Sequence, residues 1–191
     1  MSGFARAGAE LVCDGVSLEA AAAEHGTPLY VYSRAAIEAA YAAYARAFAA
    51  VPHRICYAVK ANGNGAILRL LAGLGAGADI VSGGELLAAL RAGFPPERIV
   101  FAGVGKTDAE LALGLERGIG EWNAESEAEI GRLGAVAAAR GTRARVSLRV
   151  NPDIDARSPP YISTGLREAK FGVDIAAAAP ILRRARERPG I

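Results

Sequence analysis

Arg54-Ile-Cys-Tyr-Ala-Val-Lys60-Ala-Asn-Gly-Asn-Gly65 is the stretch on which the fold is read. Arg54 to Lys60 has the length and apolar content of a strand, and Asn62-Gly63-Asn64-Gly65 is a turn that opens a helix. Successive side chains of a strand point to opposite sides, so Cys56, Ala58 and Lys60 share one face and Ile55, Tyr57 and Val59 the other. The bulky face would meet helices. The small residues and the lysine are left on the opposite face.

The same rhythm continues downstream. Strand runs at Ala78 to Val81, Ile99 to Phe101, Ile119 to Asn123 and Arg143 to Val150 alternate with helical runs at Gly65 to Leu74, Gly84 to Ala92, Thr107 to Arg117 and Glu125 to Arg140. Such alternation predicts a parallel sheet with helical crossovers, either an open doubly wound sheet or a closed barrel. In the segment from Arg143 to Asn151, Arg145, Ser147, Arg149 and Asn151 fall on one face, opposite Val146, Leu148 and Val150. Strands of an open sheet buried on both sides read as continuous apolar runs. A polar inner face therefore favours the barrel. The expected fold is α/β, a partial (β/α)8 TIM-type barrel with about five of its eight strands. Residues 1–28 are expected to form an N-terminal extension with a helix at Ser17 to His25. Residues 29–191 should form the incomplete barrel domain, opened by a strand at Leu29 to Tyr32 and a helix from Arg34 to Ala50 capped by Ser33. A whole barrel takes about 250 residues, so a truncated chain is expected.

With 191 residues, 52% apolar content and a net charge of +2, the chain can bury a core. Its basic residues are interspersed with acids, which argues against a nucleic-acid or anionic-membrane surface and for a small-molecule partner. No run of 18 apolar residues and no signal-peptide core occurs, so a cytoplasmic location is expected. Cys13, Cys56, His25 and His53 have no metal-ligand spacing, and no metal is expected. Ser82 with Glu85, Thr107 with Glu110 and Ser126 with Glu129 read as helix caps.

Lys60 is one of three lysines against nineteen arginines. An arginine cannot shed its proton and attack a carbonyl, whereas a lysine at the carboxyl end of a barrel strand can form a Schiff base. Lys60 is accordingly the catalytic candidate. Asp79, opening the next strand near the same mouth, and Arg149, inward on the fifth strand, are the other candidates. An inward arginine is costly unless an anion or acceptor meets it.

Tyr57-Ala-Val-Lys60-Ala-Asn62 resembles the cofactor-lysine motif of the pyridoxal-phosphate decarboxylases of the alanine-racemase-type barrel. Asp79-Ile-Val-Ser-Gly-Gly-Glu85, Asn123-Ala-Glu-Ser-Glu127 and Leu148-Arg-Val-Asn-Pro-Asp153 extend the likeness. Tyr161-Ile-Ser-Thr-Gly165 with Lys170-Phe-Gly172 makes the chain most similar to the diaminopimelate decarboxylases. The resemblance implies pyridoxal 5'-phosphate as cofactor, held by Lys60 and contacted by Asp79 and Arg149. It also implies decarboxylation of meso-2,6-diaminopimelate to L-lysine and CO2, and a homodimer in the intact family. Ser163 and Thr164 are the candidate contacts of a substrate loop between Pro152 and Lys170, where Pro159 stands in place of a histidine common in the family. The phosphate cradle, the proton donor and a C-terminal β-domain are expected to lie beyond Ile191, so the isolated chain is expected to be unstable or inactive. Three alternatives stand beside this reading: an ornithine- or arginine-type decarboxylase of the same fold, a non-catalytic pyridoxal-phosphate-binding fragment, and a vestigial partner of a full-length homologue.

Overall fold

The computed structural model describes residues 3–151 and 171–191. The chain divides into two compact units, Met1–Ile55 and Cys56–Ile191.

The first unit opens with three antiparallel strands, β1 (Phe4–Ala7), β2 (Glu10–Cys13) and β3 (Val16–Ser17), in the order β1-β2-β3. Ser17 caps α1 (Leu18–His25), its hydroxyl accepting from the Ala20 amide. Ser33 caps α2 (Arg34–Ala47) in the same way through Ala36. The Asp14 carboxylate accepts from the Ser33 hydroxyl at 2.8 Å and from the Ala35 amide at 3.2 Å, which ties the turn after β2 to the start of α2. Leu29 to Tyr32, read as a strand from its aromatic and branched residues, is not one. It forms no ladder among the described residues, and Tyr30 is 84% exposed. A β-prone sequence without a neighbouring strand has nothing to pair with.

The second unit carries the parallel sheet: β4 (Cys56–Ala58), β5 (Gly77–Ile80), β6 (Ile99–Phe101), β7 (Glu121–Ala124) and β8 (Val146–Leu148). Every neighbouring pair is parallel, and the order is β4-β5-β6-β7-β8. An order that never reverses separates a barrel from a doubly wound sheet, because right-handed crossovers made always in one direction place every helix on one face. Those helices are α3 (Gly65–Gly73), α4 (Gly83–Ala92), α5 (Asp108–Glu116), α6 (Glu127–Ala138) and α7 (Ile175–Arg186), and each packs on the next. A short strand β9 (Val150–Asn151) pairs in parallel with β10 (Val173–Asp174) just before α7.

The core lies between sheet and helices. Ala78 and Ile80 of β5, Ile99 and Phe101 of β6, and Trp122 and Ala124 of β7 are buried on this side. The Phe101 and Trp122 rings stack with centroids 5.3 Å apart. Val146 and Leu148 of β8 pack onto Ala124, Ile130, Ile181 and Ala185. The residues between them, Asp79, Val100, Glu121, Asn123 and Ser147, turn to the other face. The fifth strand begins at Val146 rather than Arg143, and the Lys60 strand ends at Ala58.

Candidate active site

The inner face of the sheet forms a cavity of about 600 Å³ lined by Lys60, Asp79, Val100, Glu121, Asn123 and Arg149, with Cys56, Ala102, Glu125, Ser147 and Leu148 between them. All three sequence-derived cofactor candidates, Lys60, Asp79 and Arg149, thus meet in one space. Ser163 and Thr164 lie outside the described residues.

Lys60 does not end the strand. It sits in the 3-10 turn Val59–Ala61 that follows β4, and the turn is fixed by its neighbours: Val59 is 2% exposed, and the Tyr57 hydroxyl donates to the Asn62 carbonyl at 3.2 Å. Asn64 then caps α3 through the Ala66 amide. Lys60 itself is exposed, and its ammonium donates no hydrogen bond among the described residues. Lys106 is its opposite. Its side chain is fully buried, and it donates to the Gly103 carbonyl at 2.7 Å, the Asn123 carbonyl at 2.8 Å and Glu129 Oε1 at 2.6 Å. An ammonium has three hydrogens, so Lys106 is fully committed and Lys60 is available.

Asp79 pairs in register with Ala58 and Val100. Its Oδ1 is buried with no hydrogen-bond partner among the described residues. Burial pushes the carboxyl above its ordinary range, while the positive charge of Lys60 pulls it back down. A buried oxygen without a partner is rare in a native fold and calls for an explanation. Arg149 Nη1 reaches Glu125 Oε1 at 3.1 Å and Oε2 at 3.4 Å, and the guanidinium carbon lies 5.3 Å from the centre of the Phe171 ring. Glu125 is 9% exposed, so Arg149 is partly neutralised by an acid of the same cavity.

Sequence reading missed Glu121, Asn123 and Glu125. The signal was available in β7, where Glu121 and Asn123 alternate with Trp122 and Ala124 as the residues around Arg149 alternate with Val146 and Leu148. Glu129 was assigned to helix capping alone. It does accept at the start of α6, but it also closes the buried pair with Lys106.

The family model for the pyridoxal binding domain of pyridoxal-dependent decarboxylases matches residues 34–191. The chain belongs to the pyridoxal-dependent decarboxylases. Among curated members of this family it is 54% identical to the diaminopimelate decarboxylase of Pseudomonas aeruginosa over 98% of its own length and 45% of that protein's. Among solved structures it is similar to the diaminopimelate decarboxylase of M. jannaschii in co-complex with L-lysine, with a TM-score of 0.90 at 37% identity, covering 100% of this chain and 46% of that one. The Helicobacter pylori enzyme complexed with L-lysine gives a TM-score of 0.87 at 45% identity over 90% of this chain and 44% of that one. These pyridoxal-dependent decarboxylases have the α/β-barrel fold, and the five parallel strands here are part of it. The chain spans less than half the length of the relatives it matches. Among the described residues no helix is long and apolar enough to cross a membrane.

Proposed function

We propose that this chain supplies the lysine-bearing face of a diaminopimelate decarboxylase, an enzyme that converts meso-2,6-diaminopimelate to L-lysine and CO2. The observation that carries the proposal is the convergence of an uncommitted lysine, an orphaned buried carboxylate oxygen and an arginine on one polar cavity. The 54% identity to a diaminopimelate decarboxylase and the L-lysine bound in two structural relatives point to the substrate.

The residues present fit pyridoxal 5'-phosphate. When bound, it supplies a conjugated, protonatable ring that takes up the electron pair left at Cα as CO2 departs. Lys60 is the amine that would hold its aldehyde covalently, and among the described residues no hydrogen bond competes for its nitrogen. Asp79, whose carboxyl burial pushes up and the charge of Lys60 draws down, lines the same cavity as that amine and faces the bound group. Arg149, with only Nη1 engaged by Glu125, has donors left for an acceptor atom of the cofactor. A homodimer in the cytoplasm belongs to the same proposal and rests on the family resemblance.

The test is a titration of the protein with pyridoxal phosphate followed by meso-2,6-diaminopimelate, ornithine or arginine, read by absorbance. The proposal expects the band of the bound cofactor to respond to meso-2,6-diaminopimelate in preference to the others. A response led by ornithine or arginine would assign the site to another decarboxylase, and a bound cofactor indifferent to all three would leave a binding fragment only.

A further inference from the structure

The fully buried Lys106 is not among the residues that line the cavity, yet its partners lead there. Its ammonium joins the main chain of two successive βα connections: the Gly103 carbonyl after β6 and the Asn123 carbonyl at the end of β7. Its third bond holds Glu129 Oε1, and the other oxygen of Glu129 accepts from the Glu125 amide at 3.1 Å. Arg132 fixes the backbone of Lys106 from the solvent side by donating to its carbonyl at 2.8 Å. Asn123 and Glu125 both line the cavity, and the carboxylate of Glu125 holds Arg149.

We propose that the Lys106–Glu129 pair is a positioning device for the cofactor site, setting the mouth of β7 so that Glu125 presents Arg149 to the cavity. The inference rests on the reading of that cavity as a cofactor site. Two arguments support it over a role in stability alone. A buried ion pair is a poor source of stability, because desolvation offsets most of its attraction and apolar residues of similar volume do as well. In addition, the bonds are made to carbonyls and an amide of the two connections at the carboxyl ends of the strands, the end at which barrels keep their chemistry. Catalytic geometry depends on such outer supports, since a residue that only touches its target from a loose backbone is poorly placed.

The decisive variant is Lys106→Met with Glu129→Leu, which removes both charges and keeps the volume. Two readouts are taken on the folded protein: the rate at which phenylglyoxal labels Arg149, located by mass spectrometry, and the dissociation constant for pyridoxal phosphate. Positioning predicts severalfold faster labelling of Arg149 and cofactor binding weakened by about tenfold, the loss expected for one charge-assisted bond. Unchanged labelling in a folded variant would overturn the inference. Glu125→Gln leaves the pair intact and weakens only the last link, so it must also speed labelling; if it does not, the inference fails even where the pair variant does not fold. The labelling needs no cofactor. Wild-type protein that binds no pyridoxal phosphate would therefore remove the proposed function, while the labelling rates still decide the positioning role.

Discussion

Replacing Asp79 by asparagine should make the cofactor-free protein more stable. The Asp79 carboxyl is held above its ordinary value of 3.8 chiefly by burial, and its Oδ1 has no partner among the described residues. Asparagine keeps a polar atom at that position but carries no charge, so it escapes the desolvation of the buried carboxylate. The residue is only half-buried and Lys60 offsets part of that penalty, so the gain should be about 1 kcal/mol, or roughly 2–4 °C in a chain of this size. The sign with pH follows from the direction of the shift. A carboxyl whose pKa is raised on folding keeps a proton that the unfolded chain has released, so native stability falls as pH rises from 3.8 through the folded value and stays low above it. The advantage of the asparagine variant should therefore be full near neutrality and vanish in acid. Urea unfolding followed through Trp122, the sole tryptophan and almost fully buried, would measure it at both pH values. The same variant should bind pyridoxal phosphate more weakly, as expected where a site keeps a costly group for function. A variant no more stable than wild type near neutrality, or one whose advantage grows in acid, would refute the assignment of Asp79 as a destabilising, cofactor-facing acid.

Glu110 should show the opposite pH dependence. Its carboxylate accepts from the Gly83 amide at 2.8 Å and from the Thr107 amide at 2.9 Å, and these bonds hold its pKa below the ordinary value. Its contribution is present above 4.5 and lost as pH falls through the folded value. Glu110→Ala should cost about 2 kcal/mol near neutrality by leaving two amides at the starts of α4 and α5 without an acceptor, and the cost should shrink in acid when followed by urea unfolding. Gly120→Ala should cost about 3 kcal/mol in thermal unfolding, because its new Cβ would lie 2.1 Å from the Glu97 carbonyl oxygen and main chain would have to move. A cost below about 1 kcal/mol would show that the connection before β7 is looser than its geometry.

The barrel architecture was legible because short apolar strands alternate with helices, and their helix-facing side is continuous in Ala78 and Ile80, Ile99 and Phe101, Trp122 and Ala124, with Asp79, Val100 and Asn123 between them on the other face. The helix starts were legible because Ser33, Ser82, Thr107 and Ser126 all cap through local bonds. Local rules did not reach β1, whose four residues are all exposed and show no apolar alternation. They misplaced Leu29 to Tyr32 for the converse reason, since strand propensity there has no partner strand. Lys60, Asp79 and Arg149 were found by parity and by resemblance, and the structure brings them to one cavity. The ties of Lys106 were out of reach: its partners stand at positions 103, 123 and 129, and only the closing of two βα connections places them around one ammonium.

The central claim is that Lys60 is the amine that takes the cofactor. Its most direct test is to incubate the protein with pyridoxal phosphate, reduce it with borohydride and map the modified peptide, since only Lys60, Lys106 and Lys170 compete among the side chains. The account predicts the label on Lys60 and its loss in Lys60→Ala. Label on Lys106 or Lys170, or label undiminished in that variant, would contradict it.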